Sequence, residues 1–170
     1  MDALQAILSR RSIRAYTGEP VSAEMIETVL RAAMAAPSAG NQQPWRFVVL
    51  TERERLDAAA TTTPYGVVLR RAPCAIVVCA DTHDLKHEVM WQQDCSAAAE
   101  NALLAAHALG LGAVWLGFWP KQERVSPLKA VLGLPDGVEP LTVLAMGHPA
   151  EEKPAAQRYD AGKVRFERWE

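Results

Sequence analysis

Cysteine is scarce in this sequence, and its number is odd. The three cysteines, Cys74, Cys79 and Cys95, lie in apolar segments and lack the paired spacing of a zinc site or of a disulfide framework. We therefore expect buried, reduced thiols, which favours a cytoplasmic protein.

A strong excess of charge and a long apolar run are also missing. The formal net charge is -2 over 170 residues, which gives no general attraction to nucleic acid or to an acidic membrane. The first residues, MDALQAILSRRSIR, lack the apolar centre and the cleavage site of a signal peptide, and no stretch approaches an uncharged membrane span. We expect neither nucleic acid nor membrane as a partner.

Side-chain sets for catalysis or metal binding are sparse as well. His83 and His87 have the i, i+4 spacing of a metal pair, but no third ligand accompanies them, so we expect no metal. Cys95 has no obvious histidine partner in the sequence, and neither a G-x-S-x-G motif nor a P-loop occurs. If the protein is an enzyme, a cofactor is expected to carry the chemistry.

The sequence does contain alternating helical and strand patterns. Helices are predicted near residues 4–8, in AEMIETVLRAAMAA after the capping residue Ser22, over residues 91–109 and in QERVSPLKAVLG. Strands are predicted for WRFVVL, CAIVVCA, AVWLGF and VEPLTVLAMG. The length suits a single domain over residues 1–170. The fold class is α/β or α+β, with four or five strands between helices.

Two further features concern the end of the chain. Pro140 predicts an edge position or an irregular start for the last strand, because proline has no N–H for the ladder. Residues 151–170 are charged, yet they end in Val164, Phe166 and Trp169. Such a tail is more consistent with crossing to a partner and adding a strand there than with folding back alone. A homodimer is therefore expected.

A basic cluster, RRSIR, is the first candidate binding element. Arg10, Arg11 and Arg14 offer planar sets of N–H donors that match phosphate oxygens, and Ser12 adds a hydroxyl. The cluster therefore suits phosphate or another anion. A solvated basic turn after a helix is the alternative that the residues alone leave open.

The segment PSAGNQQPW is the second candidate. Ser38, Asn41, Gln42 and Gln43 supply groups that donate and accept hydrogen bonds, and Gly40 permits backbone conformations closed to other residues. These groups suit the edge of a heterocycle or a polyol chain better than acid–base catalysis. A polar connector between a helix and a strand is the alternative.

The strand segment GAVWLGF is the third candidate. Gly112 and Gly117 bracket it and would let backbone N–H groups approach a flat ligand. Glycines near strand ends also occur for purely steric reasons, and a residue such as Trp115 is more often part of a core.

Together these elements resemble the FMN-dependent nitroreductases. In that family an R-x-S-x-R/K element precedes a helix, and a P-S-x-x-N-x-Q-P-W loop leads into the first long strand, as in RRSIRAYTGEPVSAEMIETVLRAAMAAPSAGNQQPWRFVVL. The likeness continues through APCAIVVCA, LGLGAVWLG and LGLPDGVEPLTVLAMGHP. It implies an α+β nitroreductase-like fold with a central mixed sheet of four or five strands flanked by helices. It also implies an intertwined homodimer with exchanged C-terminal tails and two FMN sites at the subunit interface.

The resemblance also implies which residues bind FMN. The implied phosphate ligands are Arg10, Arg11 and Ser12, with Lys153 and Arg158 of the tail as further cations. Arg14 would lie by the pyrimidine edge of the ring. The implied contacts to the ring and ribityl chain from the other subunit are Pro37, Ser38, Ala39, Asn41 and Gln43. The implied residues along the flavin are Trp115, Leu116 and Gly117, with a backbone donor near Gly117 for N5 or O4.

The activity implied by the resemblance is that of an NAD(P)H-dependent flavin oxidoreductase. NADH or NADPH would pass a hydride to N5 of FMN, and a nitroaromatic, quinone or similar electron-poor acceptor would then use the same site in a ping-pong cycle. No catalytic side chain and no metal are implied, because N5 carries the hydride. Two alternatives stay open: a specialised flavin-fragmenting or dehalogenating member of the family, and a noncatalytic dimer that binds flavin or nucleotide.

Longer members of this family carry an extra helical excursion near the active-site mouth. In this shorter sequence only DTHDLKHEVMWQQD, residues 81–94, has the position to serve that purpose. Trp91 and Trp119 would line the mouth, or would simply pack in the core.

Overall fold

Helices and strands follow one another as the sequence patterns predict, with two further helices after the first strand. The computed structural model describes residues 1–169, so Glu170, the last residue of the predicted tail, lies outside them. The helices are α1 (Ala3–Ser9), α2 (Ala23–Met34), α3 (Arg53–Ala60), α4 (Val67–Arg71), α5 (Trp91–Ala108) and α6 (Gln122–Leu132). The strands are β1 (Trp45–Leu50), β2 (Cys74–Asp81), β3 (Gly112–Gly117) and β4 (Val138–Gly147). Short 3-10 turns lie at Ala39–Asn41, Glu88–Met90 and Ala161–Lys163.

The ends of the helices follow their capping residues. The predicted cap, Ser22, accepts the N–H of Met25 at 3.2 Å at the start of α2. Asp2 caps α1 in the same way by accepting the N–H of Gln5 at 2.8 Å. Helix α6 ends at Gly133, whose φ of +64° places it in the left-handed region that glycine adopts without strain. Local sequence therefore sets where these helices begin and end.

The four strands form one sheet in the order β1-β2-β4-β3, and each neighbouring pair is antiparallel. The predicted sheet is mixed. In the part of the chain that the structure describes, parallel pairing occurs at one bridge, between Ser12 and Ala113 on the outer edge of β3. Strand β4 is central, so of the two possibilities for Pro140 the edge position is wrong and the irregular start is confirmed. The β2–β4 register shifts between Val78 and Cys79, opposite Pro140.

The core lies on both faces of this sheet. Alternate residues of β2 face opposite layers: Ile76 packs with α2 and α5, and Val77 packs with α3, α4 and α6. The prediction that β2 is buried on both faces is therefore confirmed. Helix α5 touches α1, α2 and all four strands, which explains its apolar circumference.

The three cysteines are free thiols inside this core, as the sequence predicts. Burial raises the pKa of Cys74, Cys79 and Cys95 to about 12, with nearby negative charge adding to the effect for the latter two. These thiols are accordingly held in their protonated form.

The C-terminal tail, residues 151–169, leaves this core and runs over the surface. Its aromatic residues are exposed, with 83% of Phe166 and 85% of Trp169 accessible. Across the described part of the chain, no helix is both long and apolar enough to cross a membrane. Most of the surface of these two rings is therefore left uncovered by the described residues, although the Arg165 guanidinium lies 5.8 Å from the centre of the Trp169 ring.

Candidate functional site

The RRSIR element lies along the outer edge of β3. Ile13 donates its N–H to the Ala113 carbonyl at 3.0 Å, next to the bridge that Ser12 forms. A Cβ at Gly112 would lie 2.6 Å from Ile13 Cγ2, so only glycine lets the element approach this closely. The Tyr16 hydroxyl donates a hydrogen bond to the Ile13 carbonyl at 2.8 Å. Burial raises the pKa of this hydroxyl, so it stays protonated as a donor. The element is thus fixed to the sheet edge and is not a mobile turn.

The two leading arginines of this element have different environments. Arg10 is only 19% exposed; its Nε lies 3.3 Å from Glu100 Oε1 but is not aligned for a hydrogen bond with any described residue. Arg11 donates to the carbonyls of Leu8 and Pro154, each at 2.8 Å, and to that of Arg10. Arg10 therefore keeps donors for a ligand, whereas Arg11 ties the start of the tail to α1.

The tail brings a further cation to this element. Lys153 Nζ donates to the Ser12 carbonyl at 2.8 Å and to Glu151 Oε1 at 3.0 Å. The same carboxylate accepts the backbone N–H of Arg14 at 2.5 Å, and this hydrogen bond, with that from Lys153, holds the pKa of Glu151 below its usual value. Arg158 is exposed and makes no hydrogen bond or ion pair with the rest of residues 1–169. Of the two predicted tail cations, the structure therefore brings only Lys153 to the element.

A cavity of about 480 Å³ opens beside these groups and is lined in part by Ser9, Arg11, His107 and Lys153. Ser9 Oγ lies 2.7 Å from His107 Nε2 and donates its single hydrogen to the Gln5 carbonyl at 2.6 Å. His107 Nε2 must therefore be the donor to Ser9. Burial, followed by the charges of Arg10 and Arg11, lowers the pKa of His107. The pair is not arranged for nucleophilic catalysis, because the imidazole offers no acceptor to the serine hydroxyl.

The PSAGNQQPW loop is anchored by a buried carboxylate in the first turn of α5. Asp94, only 5% exposed, accepts the Ala39 N–H at 2.8 Å and the Gln42 Nε2 group at 2.7 Å. Gln42 also exchanges hydrogen bonds with the backbone of His87. Gly40 has a φ of +54°, and the missing Cβ leaves room for the His87 ring, which would otherwise lie 2.6 Å away. Gln42 is thus an inward-facing support of the loop.

Pro44 and Trp45 at the end of the loop are buried, whereas three of its other residues, Pro37, Asn41 and Gln43, are exposed. Asn41 and Gln43 are exposed, have φ values of +54° and +49°, and share a hydrogen bond of 3.2 Å between their side chains. Ser38 Oγ accepts the Gln43 N–H at 3.0 Å, and Pro37 is exposed beside it. The loop therefore presents amide and hydroxyl groups in a defined, strained conformation.

The loop and the RRSIR element are fixed to different parts of α5, and Arg10 of RRSIR also pairs with Glu100 in the middle of that helix. The loop is bound to Asp94, and the residue preceding RRSIR is bound to His107. These two anchors are 107 − 94 = 13 residues apart, or about 20 Å along a helix. No hydrogen bond or ion pair joins the two elements among residues 1–169. The structure of one chain therefore does not bring the two predicted halves of the site together.

The third element, at the end of β3, shares its edge with RRSIR. The Leu116 carbonyl faces β4, since it accepts the hydroxyl of the fully buried Thr142 at 2.8 Å. Because the peptide bond is trans, the Gly117 N–H points the opposite way, to the outer edge. Trp115 is half-buried on the α5 side of the sheet, and Leu116 is buried on the opposite side. A backbone donor is thus available at Gly117, on the edge where Ile13 binds.

A larger cleft, of about 730 Å³, lies where residues 81–94 meet α6. Trp91 and Trp119 both line it, with ring centroids 4.9 Å apart in an edge-to-face arrangement. The Lys129–Glu139 ion pair, at 2.5 Å, forms part of its wall. Both tryptophans that were considered for the mouth therefore line one cleft.

Sequence reasoning missed the residues that hold the site elements in place. Asp94 and Thr142 are buried polar side chains that each bond a backbone group of a predicted site element. Their partners are 55 and 26 residues away, so no local pattern connects them. A carboxylate in the first turn of an apolar helix was the one available signal for Asp94.

Comparison with known proteins gives one consistent result. The model of the nitroreductase family matches residues 7–65 and 60–148. An Archaeoglobus fulgidus protein provisionally named NADH dehydrogenase/NAD(P)H nitroreductase is 45% identical over 99% of both chains. The FMN complex of a provisionally named nitroreductase from Desulfovibrio desulfuricans is 39% identical, with a TM-score of 0.88 over 100% of this chain and 99% of that one. An FMN-dependent nitroreductase from Clostridium difficile R20291 is 30% identical, with a TM-score of 0.90 over 98% and 99%.

Proposed function

Because the chain belongs to the nitroreductase family and is an NAD(P)H-dependent flavin oxidoreductase that uses FMN, we propose that NAD(P)H and an electron-poor acceptor use one site in turn. Nitroaromatics and quinones are the proposed acceptors. This ping-pong order suits a site with one exposed ring face, which two substrates cannot occupy together. When bound, FMN supplies hydride acceptance and donation at N5.

The observation that carries the proposal is the separation of the two motifs on α5. A single FMN that touches both would lie between two copies of the chain, since no hydrogen bond or ion pair joins the two elements among residues 1–169 and their anchors Asp94 and His107 are about 20 Å apart along α5. We therefore propose a homodimer in which RRSIR and β3 come from one subunit and PSAGNQQPW comes from the other. The exposed aromatic residues of the tail support this assembly, because a partner would cover them.

The donor groups of the RRSIR edge fit the phosphate of FMN. Arg10 has a half-buried guanidinium with no hydrogen bond to the described residues, and Lys153 already lies against Ser12. A phosphate monoester carries close to two negative charges at neutral pH, so these cations and the serine hydroxyl would neutralise and orient it. Arg11 would add charge from the cavity wall while holding the tail. Arg158 would reach the phosphate only if the tail moved or came from the partner.

The ring would then lie along β3 toward Gly117. The Gly117 N–H on the outer edge would donate to N5 or O4, and Arg14 would lie by the pyrimidine edge, where a cation favours the reduced ring. Pro37, Ser38, Ala39, Asn41 and Gln43 of the other subunit would cover the ring and ribityl chain. No side chain needs to transfer a proton, because solvent reaches this edge.

An absorbance spectrum followed anaerobically tests the proposed function. We expect yellow protein that bleaches with NADH or NADPH and recovers its colour with a nitroaromatic or a quinone. Colour without bleaching would instead support a noncatalytic flavin-binding dimer. Colourless protein that FMN does not reconstitute would contradict every flavin-based function.

The buried thiols also bear on location. Cys74, Cys79 and Cys95 are free and inaccessible, and their raised pKa values keep them protonated. We propose a cytoplasmic location, where free thiols and a supply of reduced nicotinamide coexist.

A further inference from the structure

Arg124 is a half-buried cation at the end of β3 that no function described above uses. Its Nη1 donates to the Gly117 carbonyl at 3.0 Å, and its guanidinium lies 5.2 Å from the centre of the Tyr65 ring. Within residues 1–169 it pairs with no carboxylate, unlike Arg10 and Arg53. Among the described residues its charge therefore has no ion-pair partner.

The position of Arg124 in helix α6 does not explain why a cation occurs there. Helix α6 begins at Gln122, so Arg124 is in the first turn, where the helix dipole disfavours a cation. One of its five N–H groups is used for the Gly117 carbonyl, and no other described acceptor takes the rest. A structural role would rest on that hydrogen bond and on the contact of the guanidinium with the Tyr65 ring, and neither of them uses the remaining N–H groups.

The Gly117 carbonyl and the Gly117 N–H point to the same side of β3. The Leu116 carbonyl and the Phe118 N–H both face β4, the latter donating to Leu141 at 3.1 Å, so the two polar groups of Gly117 face outward. The Arg124 charge thus lies beside the backbone donor assigned to N5 or O4 of the flavin.

We propose that Arg124 is an electrostatic residue of the flavin site that favours the reduced ring. The inference rests on the proposed function. In the reduction step the nicotinamide C–H bond breaks, and the hydride forms an N–H bond at N5 with the same electron pair. The nicotinamide is oxidised and the ring gains one negative charge, which the neighbouring guanidinium stabilises more than the uncharged oxidised ring.

The test compares Arg124→Gln, which keeps a donor for the Gly117 carbonyl but removes the charge, with Arg124→Lys, which keeps the charge. The flavin reduction potential, the reduction rate at saturating NADH or NADPH, the reoxidation rate and the melting temperature are measured. We expect Arg124→Gln to lower the potential, slow reduction about tenfold and leave reoxidation at least as fast. We expect Arg124→Lys to stay close to the wild type in both half-reactions.

Arg53→Gln is the matched control. Arg53 also donates to backbone carbonyls, those of Leu69 at 2.7 Å and Ala72 at 3.1 Å, but it lies on α3, away from β3. We expect it to leave the flavin potential unchanged. If Arg124→Gln has the wild-type flavin potential, whatever its melting temperature, the electrostatic role is wrong. That outcome would leave the proposed function unaffected. A wild-type protein that binds no FMN or does not bleach would overturn the proposed function instead.

Discussion

Arg10 and Arg11 are adjacent in the sequence, yet their guanidinium groups serve different purposes. The three backbone carbonyls around Arg11 leave it little capacity for a ligand, and one of them, that of Pro154, belongs to the tail. Within residues 1–169, Arg10 forms an ion pair with Glu100 in poor hydrogen-bond alignment and makes no side-chain hydrogen bond. A phosphate therefore gains more from Arg10 than from Arg11, although composition alone makes the two equivalent.

Replacing Arg10 by alanine should weaken FMN binding. One charge-assisted hydrogen bond contributes about 1.5–3 kcal/mol, so we expect an increase of about 10- to 100-fold in the FMN dissociation constant. Fluorescence titration of the apoprotein measures it. Arg31→Ala is the control, because Arg31 is exposed and pairs only with Glu27. Glu100→Gln shows whether loss of the ion pair has an effect of its own. Unchanged FMN affinity in Arg10→Ala would show that the phosphate lies elsewhere.

His107 is expected to make the folding stability of the FMN-free protein fall as the pH is lowered. Burial and the charges of Arg10 and Arg11 lower its pKa below the ordinary 6.5, so the unfolded chain takes up the proton more readily than the folded one. The corresponding stability is present above about pH 6.5 and is lost as the pH falls through the lower, folded value.

We therefore expect the melting temperature of the FMN-free wild type to fall more on acidification from about pH 7.5 to about pH 5.5 than that of His107→Gln. Glutamine keeps a donor for Ser9 but does not titrate. Asp81 and Glu151, whose pKa values are also lowered, titrate at more acidic pH and are present in both proteins. Identical pH profiles would show that His107 does not titrate in this range.

At the scale of helices and strands, local sequence patterns correctly predicted the features that depend on residues close together in the chain. Ser22 caps α2, the apolar run of β2 is buried on both faces, and the Ala-rich α5 is covered over most of its circumference, with only Gln93, Glu100 and Ala108 exposed along it. Pro140 left two possibilities, because a missing N–H is tolerated at an edge or at a bulge and only the strand order decides between them.

Contacts between distant segments were beyond such patterns. Lys153 reaches Ser12 across 141 residues, and Asp94 reaches Ala39 across 55, so neither leaves a periodic signal. Arg124 escaped notice for a different reason: its partner Gly117 is only seven residues away, but an arginine in a helix usually marks a solvated face. Family resemblance supplied the site elements, whereas the buried supports of those elements required the fold.

The Asp94 anchor should be important for both stability and loop order. Asp94→Ala leaves the Ala39 N–H and the Gln42 amide without their buried acceptor, which we expect to cost about 2–4 kcal/mol of unfolding free energy and to weaken FMN binding. Asp94→Asn restores an acceptor for Ala39 only. Its amide group faces that of Gln42, which cannot rotate without losing the His87 N–H.

Urea denaturation and FMN titration measure the two effects of these variants. Asp57→Ala is the control, since the Asp57 side chain is 48% exposed and its ion pair, with Arg53 one turn away, is a surface pair. Asp94 variants with wild-type stability would show that the loop does not depend on this anchor.

For the whole molecule, the central question is how many chains form one site. The PSAGNQQPW loop is anchored at Asp94, and the start of RRSIR is held at Glu100 and, through Ser9, at His107 of the same helix. A third element lies with RRSIR on the sheet edge. A two-fold dimer would allow each site to combine elements of both chains. The symmetry repeats every contact between the subunits, so two chains form two equivalent sites. A tail that ends in exposed aromatic residues, Phe166 and Trp169, is consistent with the same arrangement.

Mixing two defective variants tests this arrangement directly. Arg10→Glu reverses the charge of the phosphate site, and Ala39→Phe adds a ring on the loop side of the flavin. Each homodimer should lose FMN, since both of its sites carry the defect. In a heterodimer of the two, one site carries both defects and the other carries neither. Random exchange of subunits makes half of the dimers mixed, so about a quarter of all sites should bind FMN again.

The control mixes Arg10→Glu with Ser12→Asp. Both changes lie in the RRSIR element, so every site in every dimer receives one of them and no FMN should return. Subunits are exchanged in mild denaturant, and bound flavin is measured after the free flavin is removed. A site built within one chain would never be restored by either mixture, because each chain would carry its own defect. Recovery in the first mixture alone would establish that the PSAGNQQPW loop completes the site of its partner.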